Sequence, residues 1–469
     1  MGGSTGENES LARQIAHLEW IIIQELVAYP DWLTEYEENV LRWNLSLARL
    51  TKIRDTEDIA RWTIVNSDLE KFRTELLKIL HKFANGEKVF DRAALAGQLN
   101  ALLRLGAGTQ AALLKKNEAL SLVSLETAIK TRPLAIALSG GGGCGYIFFG
   151  ALALLDEEGL LPSAIAGNSM GAMVGAFRAL SPKLQIDKAR KLLSGISRTQ
   201  LFYRASQSES RFTLPGILEL NLKNSIAKGF MIEGRIKKIS ELHLPFRAVI
   251  AGFADLTPTE NAAYQELKGS TYSPKATLLR SVIELRKLAN HRFIAIYLGA
   301  DDFTREFNVI DAIGLSASIP GLLYHNAAEG DEHMAQQLEK LLEMHRIKVL
   351  LDGGFIDNLP SKQAGLAIEQ SRHGARDPFI LGLDCFAPNL RHMLFLPVMQ
   401  FISENSKEGY RDAHCVISYR SVLSPVKILP TKNDFDRACA AGINETRPFI
   451  APLKKILSPI VSPYTIKGD

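Results

Sequence analysis

Four consecutive glycines, Gly140 to Gly143, interrupt a run that carries no charge from Leu134 to Leu155. The run is long enough to cross a bilayer. A helix through it would lose about 1 kcal/mol at each glycine, roughly 4 kcal/mol in all. Glycines that serve helix packing in membranes are spaced rather than contiguous. The better parse is a strand, LAIAL, then a glycine loop, then a helix from about Tyr146 to Glu158. A membrane span is thereby disfavoured.

A loop of this kind has three common uses. Gly140, Gly142 and Gly145 fit the G-x-G-x-x-G spacing of a dinucleotide site, which also requires an acidic residue at the end of the next strand. The next apolar run, SAIAGNSMG, has no Asp or Glu, and no Gly-Lys-Ser/Thr follows the glycines as a P-loop would need. What stands in place of the acid is Gly167-Asn168-Ser169-Met170-Gly171, a G-x-S-x-G between a short strand and the helix GAMVGAFRAL. Such a turn is tight and lifts the serine hydroxyl clear of the sheet, and the helix start behind it favours negative charge nearby. Ser169 is therefore a candidate nucleophile, with Gly167 and Gly171 supporting the turn. Neighbouring parallel strands would bring the glycine loop beside it. Amides of Gly140, Gly141, Gly142, Gly143 and Gly145 would then face the oxyanion of an acyl-transfer intermediate, and each such donor is worth about 3 kcal/mol.

The nucleophile needs a base. KVLLDGGFIDNLP ends a short apolar run on Asp352, followed by Gly353 and Gly354. Strand ends in a parallel sheet gather on one edge, where sites form, so Asp352 can face Ser169. Read alone, Asp-Gly is equally a turn signal.

Around these motifs the texture divides the chain. Residues 9 to about 130 read as amphipathic helices without strand-like alternation, and Pro30 is the only proline before Pro133. From Pro133, short apolar runs alternate with helical patterns, the signature of an α/β domain with a mostly parallel sheet. The expected division is a helical region over 1–130, a catalytic domain over 131–388, and a helical or irregular extension over 389–469 packed on it. Arg204–Glu219 reads as a loop. Asp331–Arg346 reads as a helix with Met334, Leu338, Leu341 and Leu342 on one face, either a lid or, more simply, a helix packed on the domain. Leu390–Ile402 is apolar enough to touch a membrane or to join the core.

Composition narrows the function. A net charge of +4 with no basic block argues against nucleic acid. Four cysteines, none spaced C-x-x-C, speak against a zinc or redox motif and for a reducing compartment. The polar N-terminus has no signal-peptide pattern, and Gly6 breaks a myristoylation match. A cytoplasmic protein, peripheral at membranes, is expected.

SGGGGCG, GNSMGA and LDGGFIDNLP, in that order, with DAIGLSASIPGLL (Asp311–Leu323) before the last, resemble the patatin-like phospholipase family over roughly Pro133 to Cys385. The resemblance implies a three-layer α/β domain and a Ser–Asp dyad acyl hydrolase acting on lipid esters at a membrane or lipid-droplet surface. Ser169 would attack, Asp352 would take its proton without an intervening histidine, and no metal or cofactor is required. An ordinary aspartate is a weak base at pH 7, so a partly dry site should raise its pKa. One letter departs from the family. Cys144 stands where the residue before the last glycine is usually Arg or Lys. It leaves open a lost phosphate contact, an oxidation sensor or simply a buried core thiol. Three other functions stay open: a Ser-His-Asp esterase using His325, His392 or His414, an acyltransferase, and a regulatory protein of this fold that has lost activity.

Overall fold

The computed structural model describes residues 3–58, 60–83, 90–130, 132–204, 211–214, 216–254, 293–371, 377–385, 406–420 and 422–464. They fall into two compact units. One combines Met1–Leu134, Ile368–Phe379 and Phe449–Asp469; the other combines Ala135–Ala367 and Ile380–Pro448. The apolar run Leu390–Ile402 and His392 lie outside the described residues.

The first unit is built from helices, among them Gly3–Ala28, Glu35–Arg49, Glu70–Phe83, Leu99–Lys116 and Leu122–Lys130, joined by Ile450–Leu457 from the end of the chain. Thr34 and Glu37 close a capping box at the start of the second helix, satisfying amides that the helix leaves open. Buried Glu19 is paired with Arg49 at 2.7 Å and Arg132 at 3.0 Å. One feature departs from the all-helical reading of this region. Lys52–Arg54 and Trp62–Ile64 form a two-stranded antiparallel ladder, with both basic side chains over the Trp62 ring. Three-residue strands are too short to show alternation in sequence.

The second unit carries a seven-stranded, mostly parallel sheet with helices packed on it. Its strands are β1 (Leu134–Leu138), β2 (Pro162–Asn168), β3 (Phe246–Ala254), β4 (Phe293–Leu298), β5 (Ile347–Asp352), β6 (Phe379–Asp384) and β7 (Cys415–Ser418). The order is β4-β3-β2-β1-β6-β7, with β5 also on β3. The helices are α1 (Ile147–Glu157), α2 (Met170–Ala179), α3 (Val309–Ser316), α4 (Glu332–His345), α5 (Ser361–Glu369) and α6 (Lys432–Thr446). All ten residues of α2 are buried; nine are small or apolar, and the tenth, Arg178, is paired with Asp156 at 2.7 Å. Against α1 lies α6, with the Phe149 and Phe435 rings 5.1 Å apart.

β3 organises the site. Its first half pairs parallel with β2, from Ile165↔Phe246 to Asn168↔Val249. Its second half pairs antiparallel with β5, from Ile347↔Ala254 to Asp352↔Ile250. β4 takes the opposite edge. β2 and β5 therefore share one edge end to end, and their C-terminal residues meet at adjacent positions of β3. This corrects the expectation that Asp352 would come off a strand parallel to its neighbours; it arrives from the opposite direction.

Two further expectations meet the structure differently. Arg204–Glu219 is not a plain loop, since Phe202–Arg204 pairs antiparallel with Leu218–Leu220 at its two ends. Helix α4 packs on β5 and β3 through Met334, Leu338 and Leu341, as an ordinary helix does.

Candidate active site

Ser169 sits immediately after β2 and caps α2 with φ 51°. This is the left-handed region, which costs a non-glycine residue roughly 1–3 kcal/mol and marks functional turns. The flanking glycines make the turn sterically feasible. A Cβ on Gly167 would come within 2.5 Å of Gly171, and one on Gly171 within 2.4 Å of the Leu138 carbonyl at the end of β1.

The Ser169 side chain lies close enough to the Asp352 carboxylate to favour its ionised form. Asp352 is 4 % exposed, and burial raises its pKa to about 6 against the opposing influence of the Gly354 amide, the Ser169 side chain and Asn168. Gly354 donates to Oδ1 at 2.7 Å, and Gly353 opens the turn that delivers that amide.

Four polar residues that the sequence reading left without a role tie these motifs together. Asn168 Nδ2 donates to Asn358 Oδ1 at 3.0 Å and to Asp352 Oδ1 at 3.5 Å. Ser316, the last residue of α3, accepts the Ser169 N–H at 2.8 Å and donates to Asn168 Oδ1 at 3.4 Å. The Asp352 N–H donates to the Ser318 carbonyl at 2.8 Å. The DAIGLSASIPGLL segment thus holds the serine and the aspartate from one side. Each of these groups stood inside a quoted motif, but its role depends on a partner distant in sequence.

The glycine loop lies beside Ser169, because β1 and β2 are neighbours, but its amides are not equivalent. The Gly140 N–H is taken by Asn358 Oδ1 at 3.1 Å. The Gly143 N–H is taken by the Pro425 carbonyl at 2.9 Å. Gly145 is buried within the short turn Gly142–Tyr146. Among the described residues, nothing accepts the N–H of Gly141 or Gly142. Gly142 has φ 55° and lies so close to Pro425 that a Cβ would fall 2.2 Å from its carbonyl oxygen.

Residues 423–428, which no motif announced, brace this loop. Besides the Pro425 contact, the Leu423 carbonyl accepts from Cys144 Sγ at 3.3 Å and the Ile428 carbonyl accepts from the Tyr146 hydroxyl at 2.7 Å. Cys144 is 2 % exposed, so the residue that departs from the usual Arg or Lys is a buried thiol facing a carbonyl. Backbone contacts from this segment hold the loop it belongs to.

The family model described as Patatin-like phospholipase matches residues 136–364. These residues are a patatin-like phospholipase domain. All of Ser169, Asp352 and the glycines of both motifs fall within it, and the family is one of lipid acyl hydrolases. No curated protein matches the sequence. Two histidines of the patatin-like domain and its tail bear on the base. His325 Nε2 is 2.6 Å from Asp311 Oδ1 and its Nδ1 is 3.1 Å from the Leu220 carbonyl, which occupies both ring nitrogens. His414 Nδ1 accepts the Ile380 N–H at 3.0 Å. Among the described residues, no group of three or more His, Cys, Asp or Glu is arranged to hold a metal ion, and no helix is long and apolar enough to cross a membrane.

Proposed function

We propose that the chain hydrolyses fatty-acyl esters of lipids through a Ser169–Asp352 dyad. The observation that carries this is Ser169, on its strained turn, beside a buried aspartate whose pKa is raised to about 6. A base needs a pKa near the working pH, and burial moves a carboxylate toward it. Ser169 Oγ attacks the ester carbonyl while Asp352 takes its proton. The oxyanion forms beside the glycine loop, where Gly141 and Gly142 have amides to offer. The proton on Asp352 passes to the leaving alkoxide, and a water deprotonated by Asp352 then releases the fatty acid. The two occupied histidines support a dyad over a Ser-His-Asp arrangement. A lipid ester reached by peripheral contact with a membrane or droplet surface is the substrate this reading expects.

Incubating the purified chain with a panel of phospholipids, lysophospholipids and acylglycerols tests the proposal. Fatty-acid release from at least one ester class is expected; no release from any of them sinks it. The pH profile adds a mechanistic check. Only the ionised carboxylate accepts the proton, so log kcat/KM should climb with unit slope below pH 6 and level off above it. A profile flat from pH 5 to 8 would contradict the assigned base.

A further inference from the structure

A cavity of about 670 Å³ opens at the far end of α2. Ser169 begins that helix; Phe177 and Leu180, which line the cavity, lie at its other end, Phe177 about 12 Å along the axis by the helical rise of about 1.5 Å per residue. The volume is in the range of ordinary ligand sites. Its floor is apolar, with Phe177, Leu184 and Leu192 among the lining residues, and its polar rim is cationic, carrying Lys188, Lys191, Lys228 and Lys237. No aspartate or glutamate lines it.

Of the four lysines only Lys237 has a carboxylate, Glu241, acting on it among the described residues. Lys188 and Lys191 stand three residues apart on the helix Ile186–Ser194, a like-charge spacing that disfavours a helix. The acids nearby are engaged elsewhere: Arg190 pairs with Asp187 at 3.8 Å and with Asp436 at 2.9 Å. Lys188, Lys191 and Lys228 form no ion pair with a described residue. Gly229 helps keep the space open, since a Cβ there would stand 2.9 Å from Leu192 Cδ2.

From this pairing of an apolar floor with an acid-free cationic rim, we propose that the cavity binds a single-chain anionic amphiphile, its chain on the floor and its head among the lysines. The head is a carboxylate, as on a free fatty acid, or a phosphate, as on a lysophospholipid. Both chemistries satisfy the rim; a neutral alcohol or a headless chain does not.

Isothermal titration of the full chain, carrying Ser169→Ala to prevent turnover, with monomeric palmitate, palmitoyl-lysophosphatidate, hexadecanol and inorganic phosphate tests it against the same chain with Lys188→Glu/Lys191→Glu/Lys228→Glu added. The three side chains are exposed, so the variant should fold. Affinity for both anionic amphiphiles should fall at least about tenfold, because three attractive head-group contacts become repulsive. Hexadecanol should bind the two proteins alike, and inorganic phosphate alone should bind neither measurably. The tighter of the two amphiphiles identifies the head group. Gly229→Leu, which fills the cavity without altering charge, should weaken the same two ligands. Unchanged palmitate and lysophosphatidate affinity in the triple variant overturns the proposal. So does a variant that loses binding to anionic vesicles while keeping the monomeric ligands, since that would make the lysines a membrane-facing patch. Binding needs no turnover, so this result stands apart from the hydrolase reading.

Discussion

Ser169→Ala is expected to lower kcat for lipid ester hydrolysis by at least about 10³-fold, with KM little changed. The reason is that the variant removes the proposed attacking oxygen and nothing else of size. The Ser169 N–H still reaches Ser316, and the glycine loop still lies beside the turn. The residue that remains is under backbone strain, because alanine at φ 51° is no more comfortable than serine. This separates function from stability in one position. Ser169→Gly should be equally inactive yet unfold at a higher denaturant concentration, by roughly 1 kcal/mol of relieved strain. Kinetics on a soluble ester and denaturant titration of the three proteins measure both effects. Hydrolysis at the wild-type rate by Ser169→Ala would remove the serine from the mechanism. A Ser169→Gly protein less stable than Ser169→Ala would show that the turn is not strained.

The parts of the site visible in sequence are those whose chemistry is local. A glycine block, a serine between glycines and an aspartate before glycines each demand a particular backbone, so each writes itself into neighbouring letters. Relations between strands do not. β5 carries Asp352 to Ser169 antiparallel to β3, meeting β2 head-on, and no residue of KVLLD encodes that direction. Asn168, Ser316, Ser318 and Asn358 were in view as letters, but the bonds they make join residues as many as 190 positions apart. The brace at residues 423–428 works through carbonyls of the main chain, which any side chain supplies. The same logic explains the glycine loop. Its composition points to free amides, whereas which amides are free depends on Asn358 and Pro425, both distant in sequence.

Asp352→Asn should abolish turnover by a comparable factor and at the same time stabilise the fold above pH 6. The sign follows from the proton balance. The unfolded chain ionises this carboxyl near its ordinary value of 3.8, whereas burial raises it to about 6 in the folded protein. Between those two values the folded state holds the proton and the unfolded state has released it. Stability therefore declines as pH rises from about 4 to 6, and the full penalty persists above that window. A shift of about two pKa units corresponds to a cost on the order of 3 kcal/mol, and because the group is buried, solvent does little to screen it. Asparagine is nearly the same size, keeps an oxygen for the Gly354 amide, and carries no charge to bury. Unfolding titrations of wild type and Asp352→Asn at pH 4 and pH 8 should thus agree at the lower pH and diverge at the higher, with the variant the more stable. The stability that wild type gives up is the free energy of holding an anion in a dry pocket, and under the proposed dyad it is the same free energy that would make Asp352 basic enough to take the Ser169 proton. A stability difference that does not grow with pH would mean that Asp352 titrates as an ordinary surface aspartate. In that case another group would have to serve as the base.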